Sequence, residues 1–357
     1  MTAPRPLTAV DLFCGIGGLS EGLRDAGFDV LGAVDIAQLA TESYARNHPD
    51  THIWTCNVRS LPPETVLQTL GLEPGQLDLL AGCPPCQGFS SMRTLRRTSS
   101  VADKRNSLVG DFGRFVETIL PRALLMENVP GLEADVALTR LQRRLERCGY
   151  ALTSGVLDAA DYGVPQRRRR FVMLGVRNSK PVAFAKPQQR KTVREALAHL
   201  PVAGKSGDDA HDHGEQRSQR IQHLIASIPR DGGGQKDLPL TERLPCHQRT
   251  RGFFDVYGRM SWDKPAPTIT SGCINPSRGR FLHPEEDRAI TVREAALLQG
   301  FPPDYQLPLH HGKYRAADLI GNALPPIFVA YHARELRAAL SLPTAAGSSA
   351  APPSASP

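Results

Sequence analysis

A short apolar run at residues 7–13 breaks off at Cys14-Gly-Ile-Gly-Gly18 and resumes as a helix-patterned stretch over residues 18–26. A strand that passes through glycines straight into a helix opens a βαβ unit. The alternation continues. Residues 28–34, 77–81, 123–126 and 171–176 are further short apolar runs. Strands alternating with helices imply an α/β fold, a mostly parallel doubly wound sheet with helices on both faces. Ligands in such sheets sit at the carboxyl ends of the strands. Cys14–Gly18, Asp35, Cys83–Ser90 and Glu127–Val129 all fall there.

The texture changes after residue 180. Residues 181–285 have few periodic apolar runs, several Gly-rich and Pro-rich turns and many Arg, His and Lys, which predicts a smaller irregular domain. Thr291 then caps a predicted helix over 292–299 that ends at Gly300 and Pro302. A last helix is expected over 327–340, so residues 286–342 return to the domain begun by residues 1–180. The Ala-, Ser- and Pro-rich tail, 343–357, is expected to be disordered. No internal repeat is present.

Composition narrows the class. Of 357 residues, 40% are hydrophobic and 22% charged, enough to bury a core, so global disorder is excluded. No run approaches about 20 apolar residues, and the N-terminus lacks the pattern of a signal peptide. The formal net charge of +7 makes an acidic partner plausible, nucleic acid first. Seven cysteines, an odd number, read as reduced thiols of a cytoplasmic protein rather than a disulfide framework.

Several short segments can carry chemistry. Gly15 and Gly17 let a ligand approach the backbone, and Asp35, at the end of the second strand, can accept both hydroxyls of a ribose. The spacing is not the dinucleotide G-x-G-x-x-G, which argues against a nicotinamide dehydrogenase. Cys83 and Cys86 have C-x-x-C spacing, but no second pair completes a zinc site, and no metal is expected. A paired-thiol redox motif or a lone nucleophilic thiol on a strand-end loop remains. Glu127 ends an apolar run, where a carboxyl can have a raised pKa and donate a proton. Four arginines follow Gln166, and alternation at a strand start puts Gln166, Arg168 and Arg170 on one face. His211, Asp212 and His213 read as a solvated loop.

Taken in order, the blocks at 11–20, 82–90, 127–129, 166–170, 288–302 and 321–325 resemble the bacterial-type DNA (cytosine-5) methyltransferase family. They frame nearly the whole chain, and Pro85-Cys-Gln-Gly-Phe-Ser90 is highly specific. The resemblance implies a Rossmann-like domain that binds S-adenosylmethionine, with a target-recognition region at 181–285. Phe13, Gly15, Gly17 and Pro85 would line the cofactor, Asp35 would hold its ribose, and Ile36 would pack on its adenine. Asn57 would receive the adenine amino group, and Asn322 would complete the pocket.

It further implies that Cys86 adds to carbon 6 of a flipped cytosine and that Glu127 protonates nitrogen 3. Arg168 would bind the ring carbonyl, supported by Gln166 and Arg170, and Asn128 would set the loop. Thr268, Thr270, Arg278 and Arg280 are candidate DNA contacts. The implied partner is double-stranded DNA, methylated by a monomer, with a cognate restriction endonuclease acting on the same site. The alternatives are an RNA (cytosine-5) methyltransferase of the transfer-RNA type, whose Cys-Phe-Thr element is missing here, and a DNA-binding protein without catalysis.

Overall fold

The computed structural model describes residues 5–85, 108–245, 248 and 255–342. Seven strands form one sheet: β1 (Leu7–Leu12), β2 (Phe28–Asp35), β3 (His52–Thr55), β4 (Leu79–Gly82), β5 (Ala123–Asn128), β6 (Tyr150–Asp158) and β7 (Arg169–Arg177). Their order is β3-β2-β1-β4-β5-β7-β6. Pairing is parallel from β3 through to β5, and β7 runs antiparallel between β5 and β6. The sheet is therefore mostly parallel, as expected, with one reversed strand. The winding changes direction between β1 and β4, which opens a crevice at their carboxyl ends. The two strands that the apolar pattern does not signal, β3 and β6, are the sheet's edges. Few of their residues are buried, so neither carries a continuous apolar run.

Alternate residues of each central strand feed opposite layers. Ala9, Leu79, Ala81, Ala123 and Leu125 pack under α1 (Gly18–Asp25) and the last helix. Val10, Leu12, Leu80, Leu124 and Met126 pack on the other face. Beyond α2 (Gln38–Asn47), that second layer is built by α3 (Pro63–Leu70), α4 (Leu108–Ile119) and α5 (Val136–Arg147), through Val66, Phe112, Phe115 and Leu141.

After β7 come α6 (Val193–Leu197), a single turn at Asp209–Asp212, α7 (Gln219–Ser227), α8 (Val292–Gln299), α9 (Lys313–Asn322) and α10 (Pro326–Ser341). Val193, Met260, Trp262, Ile269 and Phe281 bury with residues of α8 and α9, whereas α10 buries against the sheet. Among the described residues between β7 and α8, isolated bridges replace strand ladders. Arg259 substitutes for a ladder. It is fully buried and donates to the carbonyls of Ile225, Ile228 and His283 at 2.8–3.0 Å. No helix among the described residues is long and apolar enough to cross a membrane.

The expected helix at 292–299 forms as read. Thr291 accepts from Glu294 N–H, Glu294 returns the bond, and Gly300 closes the helix at φ 88°. The solvated-loop reading of residues 211–213 is corrected. His211 is 1% exposed and bridges Thr291 Oγ1 and the Pro201 carbonyl, each at 2.9 Å. Asp212 accepts from the backbone of Gly204, Ser206 and Gly207, and His213 accepts the Val292 N–H. The segment is polar because it anchors the start of α8, not because it faces water.

Helix α10 meets α1 at closest range beside Gly22, where an added Cβ would stand 2.4 Å from the Pro326 carbonyl oxygen. Gly22→Ala is expected to cost about 1–3 kcal/mol in denaturant unfolding. Gly110→Ala, in a helix where a Cβ meets nothing within 4 Å, should be neutral or stabilising.

Candidate active site

The loop after β1 is held in an uncommon conformation. Phe13 has φ 64°, a region that costs a non-glycine residue of order 1–3 kcal/mol. Gly15 and Gly17 follow at φ 54° and 96°. Asp35, at the end of β2, fastens this loop. Its two carboxylate oxygens accept the N–H groups of Gly15 and Ala37 at 2.9 and 2.8 Å. Burial pushes the Asp35 carboxyl up, while those bonds hold it down.

The two glycines differ in what lies beside them. A Cβ on Gly15 would meet nothing within 4 Å. A Cβ on Gly17 would come within 2.6 Å of His48 and 2.7 Å of Tyr305. Tyr305 donates its hydroxyl to the Ile16 carbonyl and lies 3.2 Å from His48 Nε2. The loop is thus packed behind and open in front. Ile36, beside Asp35, is 67% exposed. An open glycine, a half-buried carboxylate with lone pairs to spare and a bare aliphatic side chain suit a nucleoside.

Other expected cofactor residues reach the same edge. Asn57 is exposed and its carbonyl caps the turn Val58–Ser60, accepting from Arg59 N–H at 3.0 Å. Pro85 is exposed at the root of the loop after β4. Asn322 ends α9, exposed, and accepts the Ser271 hydroxyl at 3.0 Å. Two residues on, the Leu324 carbonyl would lie 2.3 Å from a Cβ on Gly18, so the far end of the chain abuts the glycine loop.

Beside this pocket lies a polar edge created by the reversed strand. Glu127 of β5 pairs in register with Val172 of β7. Arg170, two residues from Val172, shares its face and reaches Glu127 diagonally. Its Nε stands 2.8 Å from Glu127 Oε1, and Glu127 is 7% exposed. Cys83 lies on the same face. Burial and then the Glu127 carboxylate push its thiol well up, so it stays protonated. Asn128 donates to the Pro84 carbonyl at 2.9 Å and accepts the Val129 N–H at 2.8 Å, pinning the root of the loop that leads to Cys86. Cys86 itself lies outside the described residues.

The alternation from Gln166 to Arg170 is present, with residues 166 and 168 buried and 167 and 169 exposed. Their tasks differ from those expected. Gln166 donates to the Leu298 carbonyl and to Gln299, and accepts the Ile269 N–H at 2.9 Å. Arg168 donates to the carbonyls of Ile269, Gly321 and Ala323 at 2.9, 3.2 and 3.0 Å. Its burial and the nearby Arg170 both work against its charge, which the carbonyls and Glu127 support. Arg168 therefore clasps two backbone segments, one at Ile269 and one at Gly321–Ala323, and Arg170 is the arginine that faces Glu127.

The expected DNA contacts also separate. Thr270 and Arg278 are exposed. Thr268 donates to the Arg167 carbonyl at 2.7 Å. Arg280 is engaged internally, with the carbonyls of Gly232, Gly233 and Arg259 at 2.8–3.0 Å and with Asp255 at 3.2 Å.

Asp11 received no role from sequence alone. It is fully buried, bonded to Ser20 Oγ at 2.6 Å, and its other oxygen has no partner among the described residues. Burial raises its pKa to about 7. A lone acid within an apolar strand was the available signal. Tyr305 and His48 carried none, because their meeting at the glycine loop depends on tertiary structure.

The crevice, the glycine loop and the Glu127–Arg170 pair meet at the carboxyl ends of the strands of an α/β fold, where ligands of such sheets sit. The C-5 cytosine-specific DNA methylase family matches residues 7–338. The Type II methylase M.HgiDII of Herpetosiphon aurantiacus is 36% identical over 332 residues, covering 88% of this chain and 91% of that protein. The Type II methyltransferase M.AgeI of Thalassovita gelatinovora is 30% identical, covering 94% and 100%. A crystal structure described as a DNA modification methyltransferase encoded within an E. coli prophage superposes with a TM-score of 0.69 at 28% identity, over 94% and 99% of the two chains. The chain belongs to the C-5 cytosine-specific DNA methylase family, and its activity is DNA (cytosine-5) methylation.

The two arginines give a direct contrast. Arg168→Ala takes the donor from the Ile269 and Gly321 carbonyls, while that of Ala323 keeps its bond from Gln299, and should lower stability by about 2 kcal/mol or more in chemical denaturation. Arg170→Ala leaves Glu127 without its cation but strands no distant carbonyl, so it should lower the unfolding midpoint less than Arg168→Ala while sharply reducing turnover.

Proposed function

We propose that this enzyme flips a cytosine out of duplex DNA and methylates carbon 5 through a covalent adduct with Cys86, using S-adenosylmethionine. The observation that carries this reading is the Glu127–Arg170 pair at 2.8 Å, beside a loop root that Asn128 pins two residues before Cys86. Phe13, Gly15, Gly17, Asp35, Ile36, Asn57, Pro85 and Asn322 would hold the cofactor, and the open side of Gly15 supports this.

The chemistry follows from the residue types. Carbon 5 of cytosine is a weak nucleophile. The Cys86 thiolate adds to carbon 6, and the electron pair displaced from the ring double bond is delocalised toward nitrogen 3. Glu127, once it has taken up a proton from solvent, delivers that proton there, which leaves an enamine that is nucleophilic at carbon 5. Bound S-adenosylmethionine supplies the electrophilic methyl group. A base then removes the carbon 5 proton, the double bond re-forms as Cys86 departs, and the nitrogen 3 proton returns to Glu127.

Arg170 has the position to bind the ring carbonyl and to orient Glu127. Arg168 and Gln166 act from behind by fixing the backbone around that edge. Cys83, held protonated beside Glu127, is unsuited to the nucleophile's role. Base flipping costs a few kcal/mol, which phosphate and groove contacts must offset. Thr270 and Arg278 are the exposed candidates for those contacts, within a recognition region at about 181–285, and Thr268 lies beside them.

The Type II relatives support a role as the modification enzyme of a restriction system, and a cognate endonuclease and a cytoplasmic location would go with that role. A monomer suffices, because one flipped base is methylated at a time.

The test is bisulfite sequencing of a plasmid carried in a methylation-deficient host with this gene. Protected cytosines should recur in one short motif and vanish in the Cys86→Ala variant. Protection surviving that substitution, or absent with soluble wild type, would refute the reading. A second expectation concerns Tyr305→Phe, which loses the bond to the Ile16 carbonyl. The KM for S-adenosylmethionine should rise about 3–10-fold, in line with a bond of about 1 kcal/mol, with kcat little changed.

A further inference from the structure

Away from the active site, Glu42 on α2 faces His310 and His311 on the turn Leu309–His311. We propose that these three side chains form a site for a divalent transition metal, zinc foremost, that joins α2 to the segment following Tyr305. Their potential ligand atoms all lie within 4.8 Å of one another. The Nε2 atoms of His310 and His311 stand 3.6 and 3.7 Å from the same Glu42 Oε2. Two ligands on one tetrahedral zinc, each at about 2.0–2.1 Å, are about 3.3 Å apart. The two Glu–His distances need a contraction of roughly 0.3–0.4 Å, and the His–His distance, at most 4.8 Å, one of up to about 1.5 Å, which two exposed imidazoles can supply by side-chain rotation.

The donor set selects the metal. Imidazole nitrogens with one carboxylate suit zinc, nickel or copper, whereas calcium and magnesium favour oxygen alone. Three protein ligands leave the fourth tetrahedral position to water. Gln38 supplies outer support, donating to Glu42 Oε1 at 2.9 Å while Oε2 faces the histidines. One neighbour must yield. Arg46 lies 3.3 Å from His310 Nδ1, and a metal on Nε2 requires the proton on Nδ1. Arg46 is exposed on its helix and has room to turn away.

The location gives the site a consequence. Helix α2 follows directly from Asp35 and Ile36. The opposing segment carries Tyr305, which holds the glycine loop. Asn47 and Gln306 already join the two by a pair of bonds at 2.9 and 3.0 Å. A bound ion would fasten two walls of the pocket to each other through residues more than 260 positions apart in the chain.

The experiment uses the full-length chain without an affinity tag, stripped of metal. Zinc is titrated against a chromophoric chelator, and cobalt(II) is added separately for its absorption spectrum. The cobalt arm matters because the seven cysteines are competing ligands. The expected result is one equivalent bound, a cobalt spectrum of nitrogen and oxygen ligands, and a melting temperature raised by zinc. His310→Ala, His311→Ala and Glu42→Gln should each weaken binding about tenfold or more, leaving the metal-free melting temperature unchanged. No uptake, uptake with a thiolate spectrum, or uptake equal in all three variants would overturn the proposal.

Discussion

The Arg168 guanidinium, buried among the carbonyls of Ile269, Gly321 and Ala323, is the interaction on which the site's geometry depends. Those carbonyls come from segments more than 100 residues from Arg168 in the chain. An arginine can satisfy several carbonyls at once because its planar fork presents five donors. Gln166 extends the clasp to Ile269, Leu298 and Gln299. Gly321 has no side chain because the Thr270 backbone occupies the place of its Cβ, 2.2 Å away. The result is a rigid seam between the sheet's reversed strand, the irregular region and the helices near the C-terminus.

The reversal of β7 gives that seam its use. A parallel strand there would bring its carboxyl end to the crevice and send its first residues to the opposite edge. Running antiparallel, β7 starts at the crevice and places Arg170 against Glu127. The polar groups then line one face of the sheet's edge, above the layer formed by α1 and α10. Cys83 and Glu127 share that face, and burial first, with the Glu127 carboxylate second, keeps the thiol protonated.

Legibility in sequence followed the range of the interactions involved. The β1–glycine loop–α1 unit and the helix at 292–299 were readable because their signals are local: a broken apolar run, a capping box and a closing glycine. The place of Asp35 at the end of β2 was readable because it closes an apolar run, whereas its bonds to Gly15 and Ala37 were not. The edge strands β3 and β6 were not, since half-covered strands lack continuous apolar runs. The roles of Arg168 and Arg170 could not be separated, because alternation puts both on one face and only the register against β5 tells them apart. His211–His213 looked like solvated loop because a buried polar anchor and an exposed polar turn share a composition. Arg280 misled for the same reason, its guanidinium being satisfied by carbonyls within its own region.

The central claim is that Cys86 attacks carbon 6 of the target cytosine. The most direct measurement is trapping with duplex DNA that carries 5-fluorocytosine at the target position. Fluorine at carbon 5 cannot leave as a proton does, so the adduct should persist after methylation. A complex should form that survives denaturation, requires S-adenosylmethionine, and yields on digestion a nucleotide-bearing peptide attached at Cys86. A trapped peptide joined through Cys83, or methylation of ordinary DNA with no trapped complex at all, would contradict it.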